Sequence, residues 1–344
     1  MGAVAMAKRP ATRSAGGRDL RRAVPIVLPL ILLVLPLVTS SPQHHSWVAA
    51  SLLWALWVAS LNIVWGYVGL LSVAQLALGA IAAYWVAILG SRTDTNLAVL
   101  VVVGVVLSMV ASVLLGAVST RLKGFYFTII TIAFALTVST ILMNWDVAGR
   151  TTGLMFLRSE IPVIHLGPYE LIATTTEGFY VLTAIVFVLA NAIAALVLYS
   201  RAGRAMRAVR DDPQLARSLG FSPAAIRTLA FALSGALAGV AGILHAYSFQ
   251  LVVPELFAID QALLAVMLIV LAGLGNVWAP VIAGIIYLLL YQVAPIDGDL
   301  RAGLLGLVVI LVILLLPRGI VDAVPAWRRA RAHRATHHLE EASA

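Results

Sequence analysis

The chain has no cysteine, which excludes a disulfide framework and thiolate chemistry. Charge is scarce. Asp, Glu, Lys and Arg make up 11% of its 344 residues, where a soluble domain carries roughly a quarter. Lysine is almost missing: only Lys8 and Lys123 occur, followed by Arg9 and Gly124. The sequence therefore contains no phosphate-binding loop of the Gly-x-x-x-x-Gly-Lys-Ser/Thr type, and the chain cannot be an ATPase built on that loop. What fills the sequence instead is apolar, since 62% of the residues are hydrophobic.

A membrane-spanning helix needs about 20 mostly apolar residues. Ten runs approach or meet that length, at 24–40, 47–65, 68–90, 96–119, 124–143, 179–199, 226–248, 259–274, 279–294 and 301–316. The expected fold class is all-α, a polytopic transmembrane helical bundle of about ten spans. The run at 68–90 is the least like a plain span, because Gly and small polar residues interrupt it. The expected organisation is a tail at 1–23, a membrane domain at 24–317 and a second tail at 318–344. Two polar loops stand out inside the membrane domain, 144–178 and 200–223.

Basic residues set the orientation. With the N-terminus inside, ten spans put 1–23, 120–124, 200–227 and 317–344 on the same side, and these hold 19 of the 23 Lys and Arg. The other four are Arg92, Arg150, Arg158 and Arg301. The positive-inside rule then predicts that both termini are cytoplasmic. The net charge of +8 accordingly reads as topology and contact with membrane lipid, not as a nucleic-acid signal. The apolar run after the basic N-terminus contains Pro25, Pro29 and Pro36 and lacks an Ala-x-Ala-like site at its end, so it reads as a retained span. His333, His337 and His338 lie in an Ala/Arg-rich tail and read as solvated.

The segment 144–176, with Gly149-Arg-Thr-Thr-Gly153, Pro162 and Pro168, is the one outer loop long enough to fold. It reads as a loop with a short strand or helix, either a docking surface for an external partner or a cover over the bundle.

The loop at 200–223 is a polar island between apolar runs. It carries five arginines and two aspartates, with Asp-Pro and Ser-Pro steps at 212–213 and 222–223. Asp212 followed by Pro213 is a helix start, and Gly220 suits a helix stop. The spacing predicts a helix over 213–219, about 10 Å long. Ser222-Pro223 launches the next span. A short rigid helix held between two spans can transmit force; the bland alternative is an amphipathic helix resting on lipid.

Within the spans, Gly66, Gly69 and Gly79 loosen the chain around Asn62, Ser72 and Gln75. Backbone freed at membrane depth is tolerated only where protein or a water-filled cavity covers it. These six residues are the candidates for a translocation path, with interhelical hydrogen bonding as the alternative. The repeats Gly235-x-x-x-Gly239 and Ala238-x-x-x-Gly242 form a small-residue stripe that permits close helix packing.

Five stretches together resemble the inner-membrane permeases of branched-chain amino-acid ABC importers, the LivM type. They are Gly203-Arg-Ala-Met-Arg-Ala-Val-Arg-Asp-Asp-Pro-Gln-Leu-Ala-Arg-Ser-Leu-Gly220, Leu229-Ala-Phe-Ala-Leu-Ser-Gly-Ala-Leu-Ala-Gly-Val-Ala-Gly242, Asn62-Ile-Val-Trp-Gly-Tyr-Val-Gly-Leu-Leu-Ser72, Arg121-Leu-Lys-Gly-Phe-Tyr-Phe-Thr-Ile-Ile-Thr-Ile-Ala-Phe134 and Leu271-Ala-Gly-Leu-Gly-Asn-Val-Trp-Ala-Pro280. The likeness covers about 47–317. Three places depart from the family pattern. Ala74-Gln75 and Leu78-Gly79 replace Gly-His and Phe-Gly, Arg150-Thr-Thr-Gly153 replaces a Thr-Gly-Gly element, and Ala272-Gly273 replaces Gly-Gly. These changes leave the substrate open.

The resemblance implies a channel half in a bacterial inner membrane, passing branched-chain or related amino acids or small polar solutes. It implies a second permease subunit, two cytoplasmic ATP-binding subunits and an extracytoplasmic substrate-binding protein. The island becomes the coupling helix, with Arg204, Arg207, Asp211, Asp212, Pro213, Ala216, Arg217 and Gly220 as its contacts. No catalytic residue, metal or cofactor is expected. The rival reading is an ion-coupled secondary transporter acting alone. Such carriers bury ionisable residues in their spans, and here only His245 and Asp260 are on offer, both near predicted outer ends. An intramembrane hydrolase using His245 and Ser248 lacks an evident nucleophile turn or oxyanion donor set.

Overall fold

In a computed structural model of the chain, the apolar runs among the described residues fold as helices. The structure describes residues 42–92, 96–119, 124–155, 163–166, 169–172 and 176–293, together with Gly303, Gly306, Leu307 and Leu314. The expected span at 24–40, most of that at 301–316 and both tails lie outside the described residues.

Helix α1 (Pro42–Leu61) continues into a π-helical turn, Asn62–Tyr67. Non-helical backbone follows, and α2 begins at Gln75 and ends at Gly90. Then come α3 (Leu97–Ser119), α4 (Phe125–Asn144) and α5 (Thr176–Tyr199). The island forms α6 (Arg201–Asp211) and α7 (Pro213–Ser218), and α8 (Pro223–Phe249) leaves it. The described chain ends with α9 (Ile259–Ala272) and α10 (Ala279–Tyr287), the latter running into a π-helical turn at Leu288–Val293. Among the described residues, five helices are long and apolar enough to cross a membrane: α1 with its π turn, α3, α4, α5 and α8. The helices α2, α9 and α10 are shorter apolar segments. The fold is that of an all-α polytopic membrane protein.

Burial explains the arrangement. α1 is apolar on every side and lies at the centre, with Leu56, Trp57 and Val58 fully buried. α3 is two-faced. Gly104, Ser108, Ser112 and Gly116 recur every four residues and so share one face, and this face meets α8. Ser108 Oγ donates to the Gly235 carbonyl at 2.8 Å, and Ser112 Oγ to that of Phe231 at 2.6 Å. A Cβ on Gly235 would fall 2.4 Å from that of Ser112. The small-residue stripe of α8 is therefore packed tightly against α3 and, through Gly242, against Gly79 of α2. The opposite face of α3, Val99, Val102, Val106, Val110 and Leu114, is exposed and purely aliphatic. Such a face suits lipid tails.

The described residues of the 144–176 segment form two 3-10 turns and three short strands. β1 (Leu154–Met155) pairs antiparallel with β4 (Leu251–Val252), tying the loop to the end of α8, while β2 (Val163–Leu166) and β3 (Tyr169–Ile172) form a hairpin. These strands lie at one end of the bundle. The helices α6 and α7 lie at the other, separated by the 24 residues of α5, about 36 Å of helix. His245, near the end of α8, is buried against Trp57, Phe249 and Phe257, where the Pro254–Phe257 turn folds back over it.

Candidate functional site

The island is built from local capping chemistry. Ser200 Oγ accepts from the Ala202 N–H at 3.1 Å and starts α6. This helix buries Gly203, Ala205, Met206 and Val209 along one side, with Arg201 and Arg204 exposed. It was not foreseen in the sequence, because its buried face is short and its composition is polar. Asp212 then caps α7, its Oδ1 accepting from Gln214 N at 2.8 Å and Leu215 N at 3.1 Å, with Pro213 in the first turn. α7 is one residue shorter than the expected 213–219, and Leu219 is its C-cap. Gly220 adopts the left-handed conformation at φ +87°. The Phe221 N–H bonds back to the Ala216 carbonyl and that of Gly220 to Arg217, both at 3.0 Å, a Schellman closure. Ser222 Oγ caps α8, accepting from Ala225 N.

Within α7 only Ala216 is buried. Leu215, Leu219 and Phe221 are 58%, 66% and 40% exposed. They give the α7 end of the island an apolar knob, and Arg204, Asp211, Asp212 and Arg217 of the island are exposed as well. Attention to charge alone passes over these three residues; the signal for them is a Leu-x-x-x-Leu pair beside a Phe in an otherwise polar loop.

Above α6 lies the break in the first described span. The helical backbone stops after Val68, so its last carbonyls and the non-helical groups that follow need partners from outside the helix, and neighbours supply them. Arg210 Nη1 donates to the Gly66 carbonyl at 2.6 Å. Its Nε donates to Asp211 Oδ1 at 3.2 Å. The Arg207 guanidinium lies 5.7 Å from the centre of the Tyr67 ring, a cation–π contact. From α4, Thr128 Oγ1 donates to the Leu71 carbonyl at 3.1 Å, and Thr131 Oγ1 accepts from Val73 N at 3.2 Å. From the turn between α9 and α10, the Gly275 N–H donates to Asn62 Oδ1 at 3.0 Å, while Asn62 Nδ2 donates to the Asn276 carbonyl at 2.8 Å. Gly66 permits this convergence. A Cβ there would lie 2.2 Å from Asn62 Oδ1 and 2.5 Å from Gly275 N.

The six path candidates thus divide. Asn62, Gly66 and Gly69 belong to the clamped break. Ser72 lies in the non-helical backbone before α2, between Leu71 and Val73, which α4 holds, and Gln75 and Gly79, on α2, meet α1 and α8. Gln75 Oε1 accepts from Ser60 Oγ at 2.7 Å and lies 3.0 Å from Ser234 Oγ. Asn62, Ser72 and Gln75 are all buried. Ser72 Oγ and Gln75 Nε2 make no hydrogen bond among the described residues.

Residues 45–316 match the family described as "Branched-chain amino acid transport system / permease component". The chain belongs to this family. The matched stretch contains the break, the island and the α9–α10 turn. Among curated relatives, the chain is 28% identical over 283 residues to the high-affinity branched-chain amino acid transport system permease protein LivM of Salmonella typhimurium and to that of Escherichia coli. Each alignment covers 76% of this chain and 66% of the relative, so the chain spans just under two thirds of their length. LivH of Escherichia coli is 28% identical over 151 residues, which is 43% of this chain and 49% of LivH. No solved structure matches the chain significantly.

Proposed function

We propose that this chain is the membrane permease subunit of a branched-chain amino-acid type ABC importer, and that the island is its coupling element. It forms half of a translocation path for branched-chain or related amino acids or small polar solutes. Separate subunits supply the power: two cytoplasmic ATP-binding subunits, working with a second permease subunit and an extracytoplasmic substrate-binding protein. The permease domain runs over 24–317 with ten spans, and both tails, 1–23 and 318–344, are cytoplasmic in a bacterial inner membrane. Family membership supports the permease assignment. Similarity to both LivM and LivH fits a paired permease.

The observation that carries the coupling assignment is the exposed knob of Leu215, Leu219 and Phe221 on a helix closed at both ends. Burying one such side chain in a partner groove contributes about 1.5–3 kcal/mol. An exposed ion pair contributes about 0–1 kcal/mol. The knob therefore anchors the contact, and Arg204, Arg207, Asp211, Asp212 and Arg217 orient it. Pro213, Ala216 and Gly220 fix the shape of the helix that presents it. The proposed path runs beside the break. Ser72 Oγ and Gln75 Nε2 support this, because a buried polar group without a partner costs about 1–3 kcal/mol. A passing polar solute relieves that cost. Asn62, Gly66, Gly69 and Gly79 frame the same passage.

The test is co-purification of the ATP-binding subunits with Leu215→Asp and Leu219→Asp variants. The double variant is expected to lose the subunits while still inserting in the membrane. Retention of the subunits at wild-type ratio would contradict the assignment.

A further inference from the structure

The five arginines of the island are not equivalent. Among the described residues Arg204 reaches the Tyr199 carbonyl, five residues away and at 3.4 Å. Arg210 instead bridges 144 residues of sequence to reach the Gly66 carbonyl. Its side chain is 37% exposed and lies in a cradle of three glycines. A Cβ on Gly69 would fall 2.6 Å from Arg210 Cγ, and one on Gly275 would fall 3.2 Å from Nη1. The glycines belong to the break and to the α9–α10 turn. Asp211, holding Nε, aims the guanidinium from the side.

We propose that Arg210 is the positioning residue that makes α6 and the broken helix move as one body. The inference rests on the coupling reading above and adds the route by which movement leaves the island. Displacement of α7 carries α6 with it. Arg210 passes that displacement to the Gly66 carbonyl, and Gly66 lies against Asn62 and Gly275, so the α9–α10 turn follows. A guanidinium suits this task because its planar fork donates in two directions at once. A lysine ammonium at the end of a flexible stem cannot hold Asp211 and Gly66 in the same fixed geometry.

The test is hydrogen exchange in the full complex of both permease subunits with the ATP-binding subunits, with and without ATP and vanadate. In wild type, nucleotide is expected to change exchange at the amides of Leu219 and Phe221 and also at those of Gly69 and Leu70. In Arg210→Ala, the first pair still responds and the second does not. Without nucleotide, Gly69 and Leu70 exchange about tenfold faster than in wild type, the loss expected for one hydrogen bond to a charged group. Arg210→Lys and Asp211→Asn fall between. Arg201→Ala, which removes the same charge from an exposed position, behaves as wild type. A nucleotide response at Gly69 and Leu70 that survives in Arg210→Ala overturns the proposal. A wild-type complex in which Leu219 and Phe221 themselves do not respond overturns the coupling reading instead. If Arg210→Ala fails to insert, Arg210→Lys and Asp211→Asn decide, and full wild-type response in both counts against the proposal.

Discussion

Asn62 accepts a hydrogen bond at Oδ1 from the backbone N–H of Gly275, 3.0 Å away and 213 residues later in the chain. The same side chain donates to the carbonyl of Asn276. One amide thus joins the π turn after α1 to the turn between α9 and α10. Asn62→Ala removes both part-buried bonds, about 0.5–1.5 kcal/mol for each. Asn62→Asp keeps the acceptor but sets a carboxylate oxygen against the Asn276 carbonyl, so it is expected to be at least as damaging. Thermal unfolding of the purified variants in lipid nanodiscs checks both. Wild-type melting for Asn62→Ala would show that the bond carries no weight.

Gly66→Ala is predicted to be worse than its size suggests. The added methyl meets Asn62 Oδ1 and backbone atoms of Gly275, none of which is the end of a long flexible side chain. Overpacking of this kind costs about 1–3 kcal/mol, and here it also breaks the Asn62 bonds. Membrane abundance should fall relative to Gly303→Ala, where a Cβ meets nothing within 4 Å among the described residues. Equal abundance of the two variants counts against the clamped break.

Gly220 has open space around it, so a substitution there acts only through the backbone. At φ +87° a Cβ costs on the order of 1 kcal/mol or more, and a β-branched residue costs more still. Gly220→Val should tilt α7, abolish uptake and leave ATP hydrolysis uncoupled, at normal membrane abundance. Arg207→Ala should be mild, since a cation–π contact at a partly exposed site contributes about 0.5–1 kcal/mol. Uptake near wild type in Gly220→Val at equal abundance would argue for a passive interfacial helix.

The absence of native cysteine makes the topology directly readable. Single cysteines at Thr152 and Ser218, both exposed, should be labelled by an impermeant maleimide from opposite sides of the membrane. Outside labelling is expected at Thr152 only. Labelling of Ser218 from outside would reverse the orientation and remove the island from any cytoplasmic partner.

The parts legible in the sequence were those fixed by local chemistry. Asp212-Pro213, Gly220 and Ser222-Pro223 announced the ends of α7 and the start of α8, because caps need only neighbouring residues. Apolar runs announced the described spans, because lipid imposes length. The disruption after Asn62 was visible as glycine and small polar residues, but not the π turn. What escaped was long-range. Arg210 looked like any arginine until the fold brought Gly66, Gly69 and Gly275 around it. α6 was hidden because Gly203, Ala205, Met206 and Val209 make a weak apolar face within a basic segment. The burial of His245 depended on a turn ten residues further on.

The most direct measurement is solute uptake into liposomes holding either this chain alone or the full complex with its ATP-binding subunits. Uptake by the complex of the solute carried by its binding protein is expected to require ATP on the cytoplasmic side and the loaded binding protein outside, with none by the chain alone under a proton or sodium gradient. Gradient-driven uptake by the chain alone would contradict it and place the protein among secondary carriers.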